Sequence, residues 1–234
     1  MRGGVGVVLV ALTALVLVVG VAGLPPHTDL AAPTHGHVGE HYLRYGVAET
    51  GMHNLVTATL LAYRGFDTFL EVVVIVTALL AVSALPRVAP VGPRPARETA
   101  TPVSPVVFFV VRLLAPFIAV FALASLYGGH VTPGGGFQSA AILGALFIAL
   151  ALVLGRERAE ASLPQRARPW LQAVAPLTFA LVALLGWRLT GAFLGMPAHD
   201  EGLRETMVVA LEVGIAVGGA VVLAQLFLAL EGRA

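Results

Sequence analysis

Two carboxylates stand close together at the start of an apolar run, and their spacing suits ion chemistry. Asp67 and Glu71 are four positions apart, so on a helix they share one face about 6 Å apart. At low dielectric such a pair resists double ionisation and can hold a proton or a cation. The alternative is an interfacial cap and a surface pair satisfied by Arg64. Because intramembrane carboxylates usually mark ion pathways, the sequence favours an ion path.

The residues before this pair predict a short helix. Residues 53–63 have an apolar face but are too few to cross a bilayer. Arg64, Gly65 and Phe66 break this helix, and Asp67 is placed to cap the next one.

A glycine-rich stretch, S-L-Y-G-G-H-V-T-P-G-G-G-F-Q at residues 125–138, separates two apolar runs. It lacks the phosphate-loop pattern G-x-x-x-x-G-K-[ST], which argues against nucleotide binding. It predicts a tight turn or broken helix in which glycines let backbones approach closely. His130 is its one titratable residue, and satisfying a turn carbonyl is the alternative to a place on an ion path.

Glu205 and Glu212 are seven positions apart, so they share one face of the last helix at about 10 Å. Glu212 lies inside the apolar run and needs a partner. Arg188 or Arg204 could reach Glu205 but not Glu212. An ion-path role and a structural hydrogen bond to another helix both remain open for Glu212.

The segment 25–51 carries a histidine cluster, H-G-H-V-G-E-H at residues 35–41, with a further histidine at position 27. His27, His35, His37, His41 and Glu40 could bind zinc or copper in principle. The segment shows no helix or strand signal to anchor ligands, so a solvated loop without metal is the preferred interpretation.

Composition defines the environment of these residues. Apolar residues make up 58% of the 234 residues and charged residues 12%, whereas soluble domains are about 25% charged. An integral membrane protein is therefore expected. The chain has no cysteine and no lysine, which excludes disulfides, iron–sulfur clusters and Schiff-base chemistry. The net charge of +1 does not support nucleic-acid binding.

About six transmembrane helices and one short interfacial helix are predicted, giving an all-α membrane protein. The apolar runs are residues 5–24, 67–85, 105–127, 137–154, 170–190 and 207–230. The first could instead be a signal peptide ending near Val21-Ala22-Gly23, but it is longer than usual. We expect a retained helix.

Arginines concentrate in alternate connections, which by the positive-inside rule are cytoplasmic. Both termini are then cytoplasmic, in a multi-pass protein of the cell (inner) membrane. A Pro/Arg-rich linker at residues 86–104 separates a two-helix module, 1–85, from a four-helix module, 105–234.

Two stretches resemble a known family. L-Y-G-G-H-V-T-P-G-G-G-F-Q resembles the G-H-x-x-P-G-G-G-F signature of the MnhB/MrpB-like component of Mrp-type multisubunit cation/proton antiporters. N-L-V-T-A-T-L-L-A-Y-R-G-F-D-T-F-L-E resembles an element at the C-terminal end of the large MrpA-like component, or in a small component of related membrane-bound hydrogenases. The chain is similar to a fusion of the two modules.

The resemblance implies a non-catalytic subunit without cofactors. The acid that ends the N-terminal family element corresponds to Glu71, with Asp67 beside it. The glycine-rich family signature corresponds to Gly129, His130, Pro133, Gly134, Gly135, Gly136 and Phe137. Implied partners are large antiporter-like subunits, small membrane subunits, sodium ions, protons and the bilayer.

Three functions follow from these observations. The first is a subunit of a sodium/proton antiporter, or the equivalent module of a redox-driven complex of the membrane-bound hydrogenase type. In it, Asp67 and Glu71 supply carboxylates to an ion path shared with neighbours. The second is a purely structural, membrane-sealing subunit. The third is an extracytoplasmic metal-binding membrane protein acting through the histidine cluster.

Overall fold

The computed structural model describes residues 2–24, 37–85, 103–163, 166–197 and 199–231. Every regular element within these ranges is a helix, which confirms the all-α prediction. The helices are α1 (Arg2–Ala22), α2 (Gly39–Thr50), α3 (Leu55–Thr57, continuing as a π-helix over Ala58–Tyr63), α4 (Gly65–Ala84), α5 (Pro105–Tyr127), α6 (Gly136–Leu154), α7 (Arg156–Ser162), α8 (Arg168–Thr190) and α9 (Glu201–Glu231).

Among the described helices, α4, α5, α6, α8 and α9 are long and apolar enough to cross a membrane. They coincide with five of the predicted spans and support a multi-pass membrane protein. Helix α1 covers the first predicted span with 21 residues, and its crossing of the bilayer stays a prediction. Pro116 and Pro176 lie inside α5 and α8 without ending either helix, as membrane helices tolerate.

The chain forms two compact units, Met1–Tyr45 and Gly46–Ala234. The first unit holds α1 and the start of α2, where Glu40 forms an ion pair with Arg44 one helical turn away. The sequence predicted a loop up to residue 51, which is wrong for Gly39–Thr50, because these residues form a helix. An ion pair spaced four residues apart, as Glu40 and Arg44 are, stabilises a helix. His27 and His35 lie outside the described residues, so the metal hypothesis is untested for them.

Helix α9 is the centre of the second unit, and it packs against α4, α6 and α8. Small residues allow close approach: a Cβ on Gly218 would lie 2.8 Å from Ala175 Cβ of α8, and one on Gly219 2.9 Å from Ala140 Cβ of α6. Phe179, Val208 and Leu211 are fully buried between these helices. Packing through small residues is typical of membrane helices.

The break between α3 and α4 lies where the sequence predicts it. Arg64 leaves helical geometry at φ −121° and ψ 33°, and α4 begins at Gly65, whose surroundings are apolar. Asp67 is therefore in the first turn of α4 and does not cap it, which corrects the sequence-based expectation. A carboxylate in the first turn still interacts favourably with the helix dipole.

Candidate functional site

The glycine-rich turn folds back beneath the end of α5. The Gly135 N–H donates to the Ser125 carbonyl at 3.0 Å, and the Thr132 hydroxyl donates to the Gly128 carbonyl at 2.9 Å. Gly135 has φ +122°, a conformation that side chains with a Cβ rarely adopt. The prediction of a tight turn is confirmed.

The turn also lies directly against α9. A Cβ on Gly136 would lie 2.5 Å from the Glu212 carbonyl oxygen and 3.0 Å from Glu212 Cα. A Cβ on Gly129 would lie 2.6 Å from both Glu212 Oε1 and Gly135 Cα. Side chains at positions 129 and 136 would therefore push the turn away from α9.

The remaining motif residues, Gly134, Pro133 and Phe137, differ in their surroundings. A Cβ on Gly134 would lie 2.5 Å from the Ser125 carbonyl oxygen. Pro133 is exposed, whereas Phe137 is partly buried against the apolar core.

Asn54 joins α3 to the turn. Its side-chain oxygen accepts hydrogen bonds from the N–H groups of Val56 and Thr57, which caps α3. Its amide nitrogen donates to the carbonyls of Gly129 and Thr132 at 2.6 and 2.9 Å. Both ends of the amide are therefore satisfied, although Asn54 is only 7% exposed.

Glu212 lies beneath the turn with its side chain almost completely buried. The residue is 2% exposed, and Thr57 Oγ1 lies 3.2 Å from Glu212 Oε1. Glu212 Oε2 has no hydrogen-bond partner in the described part of the chain. Glu212 lines a small cavity of about 20 Å³, which is large enough for one water-sized occupant. A buried carboxylate with an unpaired oxygen is costly unless a proton or cation neutralises it.

His130 and Glu205 form a second pair on the outer side of the turn. His130 Nε2 lies 3.2 Å from Glu205 Oε1, while His130 Nδ1 is buried without a hydrogen-bond partner among the described residues. The sequence placed Arg188 and Arg204 within possible reach of Glu205, and the structure places His130 beside it. Arg204 packs against Gly51 instead, where the absence of a side chain leaves space for its guanidinium.

Asp67 and Glu71 lie apart from this site. Asp67 Oδ2 accepts a hydrogen bond from Arg64 Nε at 2.7 Å, and both side chains are more than half exposed. Glu71 is also exposed on α4. The structure thus brings together Glu212 and the glycine-rich turn, and it leaves Asp67 and Glu71 on the outer surface of this chain.

Sequence reasoning missed Asn54, Thr57 and Gln138, which all contribute polar atoms around the turn. Asn54 carries a recognisable cap signal, since an asparagine precedes an apolar helix. No local pattern indicates that its amide also reaches a carbonyl 75 positions away.

Two known families match this chain. The family described as "Domain related to MnhB subunit of Na+/H+ antiporter" matches residues 106–224, about half of the chain. The chain belongs to this family. A second family, MbhE, which is described as a subunit of MBH, matches residues 7–104. The resemblance to a fusion of two modules is therefore confirmed, and the MnhB-related family is one of transporter subunits.

Two solved structures show the same fold. A chain of the membrane-bound sulfane sulfur reductase, an archaeal respiratory membrane complex, is 26% identical with a TM-score of 0.63, covering 98% of this chain and 97% of that one. A chain of the Mrp complex from Dietzia sp. is 26% identical with a TM-score of 0.69, covering 99% of this chain but 26% of that one.

One curated relative is an uncharacterized protein of Methanocaldococcus jannaschii, 26% identical over 91 residues. The match spans 39% of this chain and about a third, 34%, of that relative.

The site draws on both matched regions. Asn54 and Thr57 fall within the MbhE region, whereas the glycine-rich turn and Glu212 fall within the MnhB-related region. Their hydrogen bonds therefore tie the two regions of this fused chain together.

Proposed function

We propose that this MnhB-related chain is a non-catalytic membrane subunit of an Mrp-type sodium/proton antiporter complex and that Glu212 belongs to its ion path. Its partners are large antiporter-like subunits and small membrane subunits. Both termini face the cytoplasm, as the arginine distribution predicts.

The burial of the Glu212 carboxylate carries this proposal. The side chain lies within α9, a helix long and apolar enough to span the membrane, and one of its oxygens lacks a hydrogen-bond partner among the described residues. Ionisable groups inside membrane helices are costly and are typically retained for ion or proton transfer. A small cavity beside Glu212 has room for one water molecule, which could deliver a proton to the carboxylate or accept one from it.

Asp67, Glu71 and the His130–Glu205 pair have supporting positions in this proposal. Asp67 and Glu71 lie on the exposed side of α4, where a neighbouring subunit could share their carboxylates. The His130–Glu205 pair lies at the outer side of the turn that covers Glu212. It would exchange protons between the surface and the interior.

Replacement of Glu212 by glutamine tests the role of the carboxylate. Glu212→Gln keeps the volume and the contact with Thr57 but removes the exchangeable proton. We expect sodium-dependent proton efflux in membrane vesicles to be lost while the complex still assembles. Glu201→Gln is the matched control, because Glu201 is on the same helix with a side chain 91% exposed. Wild-type transport by an assembled Glu212→Gln complex would exclude the role.

A redox-driven complex is the second candidate for the assembly. The match to the sulfane sulfur reductase chain runs along nearly the full length of both chains, whereas the match to the Mrp chain covers 26% of that chain. The fused architecture is therefore shared end to end with a chain of a respiratory complex. Identification of the proteins that co-purify with a tagged chain in mild detergent distinguishes the two assemblies.

A purely structural role is favoured by the close contact between Gly136 and the Glu212 backbone. In that case, the Glu212→Gln complex transports like the wild type, and only bulky substitutions in the turn, such as Gly135→Leu, prevent assembly. The same vesicle measurement separates this role from the ion path.

A further inference from the structure

We infer that the small cavity beside Gly135 is a binding site for one dehydrated monovalent cation, of which Na⁺ is the expected occupant. The inference rests on the proposed function and adds the ligands to it. The site is formed by side-chain oxygens of Glu212, Thr57 and Gln138. A proton on Glu212 and a bound cation then exclude each other.

Side-chain oxygens from three elements lie near one face of Gly135. A Cβ on Gly135 would lie 3.0 Å from Glu212 Oε1, 3.5 Å from Gln138 Oε1 and 3.7 Å from Thr57 Oγ1, and all three residues line the small cavity beside Gly135. Because residue 135 is glycine, it has no side chain of its own to fill the space between these oxygens. Carboxylate, amide and hydroxyl oxygens are the ligands that hard cations prefer.

The hydrogen-bond geometry of Thr57 leaves lone pairs facing Glu212. The Thr57 hydroxyl donates its one proton to the Gly129 carbonyl at 2.7 Å, which is a better hydrogen-bond distance than the 3.2 Å to Glu212 Oε1. Two oxygens without a proton between them would then face each other at 3.2 Å. Either a proton carried by Glu212 or a cation that contacts both oxygens removes this repulsion.

The charge at the site matches a monovalent cation. Glu212 is the one ionisable side chain among the described residues that line the cavity. A single negative charge neutralises a single positive charge, whereas divalent sites usually collect several carboxylates. The cavity of about 20 Å³ admits an occupant of water size without its hydration shell.

Access to the site is from the side of Gln138. Thr57 and Glu212 are 4% and 2% exposed, whereas Gln138 is exposed and still directs its amide oxygen towards the cavity. Gln138 is therefore placed to take a cation from outside the bundle. Oxygen ligands at a break between membrane helices are a known arrangement for Na⁺ and H⁺.

Direct binding of radioactive sodium to the purified full chain in detergent tests the inference. Ionic strength is kept constant with choline chloride, and potassium is tested in parallel. We expect saturable sodium binding that weakens as the pH is lowered. Gln138→Leu and Thr57→Val should each weaken sodium binding by about tenfold or more, the scale seen when groups around a bound metal are removed.

Matched controls separate loss of ligands from loss of fold. Gln172→Leu removes an amide that bonds Gln225, and Thr77→Val removes a hydroxyl that bonds Val73 of its own helix. Both lie outside the cavity lining, and both should bind sodium like the wild type. Sodium, but not choline, should raise the thermal midpoint of the wild-type chain and of these controls.

The outcomes distinguish this inference from the proposed function. No saturable sodium binding by the folded wild-type chain, or unchanged binding by folded Gln138→Leu and Thr57→Val, overturns the cation site. Loss of transport in the Glu212→Gln variant would still support the proposed role of the Glu212 carboxyl, even if the cation site were overturned. Sodium binding that depends on Gln138 and Thr57 supports the site even if transport requires other subunits.

Discussion

The Asn54 amide nitrogen donates a 2.6 Å hydrogen bond to the Gly129 carbonyl, across a separation of 75 residues. Gly129 is also the acceptor for the Thr57 hydroxyl, so both contacts to this carbonyl come from one short helical segment. This arrangement fixes the distance between α3 and the turn, and with it the position of Thr57 above Glu212.

Replacement of Asn54 by aspartate should destabilise the protein strongly. Aspartate keeps the oxygen that caps α3, but it places a second oxygen against the Gly129 and Thr132 carbonyls. Loss of a buried donor costs about 1–3 kcal/mol, and more when a charge is introduced. We expect the free energy of unfolding in mixed detergent micelles to fall by about 3 kcal/mol.

Asn54→Ser provides the comparison for this variant. Serine still caps a helix and lacks the donor to Gly129, but it introduces no charge. We expect it to be intermediate, about 1 kcal/mol below the wild type. Wild-type stability of Asn54→Ser would show that the contact to the turn is unimportant.

Gly136→Ala should separate α6 from α9. The added Cβ would lie 2.5 Å from the Glu212 carbonyl oxygen, which belongs to a helix backbone and cannot move aside. Overpacking of this kind costs about 1–3 kcal/mol. The expected results are a lower unfolding free energy and less assembled complex on native gels.

Gly202→Ala is the matched control on α9. Its Cβ would meet only Asp200 Oδ1 at 3.8 Å, and alanine favours helix over glycine by about 1 kcal/mol. Its stability should equal or exceed that of the wild type. If Gly136→Ala behaved in the same way, the close approach of α6 and α9 would not be required.

The sequence was sufficient for the parts of the fold that depend on local pattern. Long apolar runs predicted six helices that the structure contains, five of them long and apolar enough to cross a membrane, and Arg64 was recognised as a helix break. The helix Gly39–Thr50 was missed because its mixed polar sequence gives no apolar periodicity. The π-helical form of Ala58–Tyr63 also has no local signal.

The site was only partly predictable for a related reason. The glycine-rich turn and Glu212 were both recognised, but as separate features. Their contact depends on how α6 packs on α9, and this follows from Gly136 and the small residues of α9 only when both helices are considered together. Sequence spacing put Arg188 and Arg204 within possible reach of Glu205, but it could not show that His130 of the turn lies close to Glu205.

The exposed position of Glu71 leads to a prediction that separates stability from function. Glu71→Gln should change the free energy of unfolding by less than about 0.5 kcal/mol, since exposed substitutions without described contacts have small effects. If a neighbouring subunit shares this carboxylate, sodium-dependent antiport in vesicles should nevertheless fall severalfold. Both quantities are measured on the same preparation, as thermal unfolding of the chain and proton efflux by the complex.

Glu157→Gln is the control, because Glu157 is an exposed acid on α7, away from α4. It should leave both quantities unchanged. Wild-type antiport by the Glu71→Gln complex would remove Glu71 from the proposed ion path. A large loss of stability would instead show that Glu71 has a structural partner within the chain, and the loss of transport would then follow from misfolding.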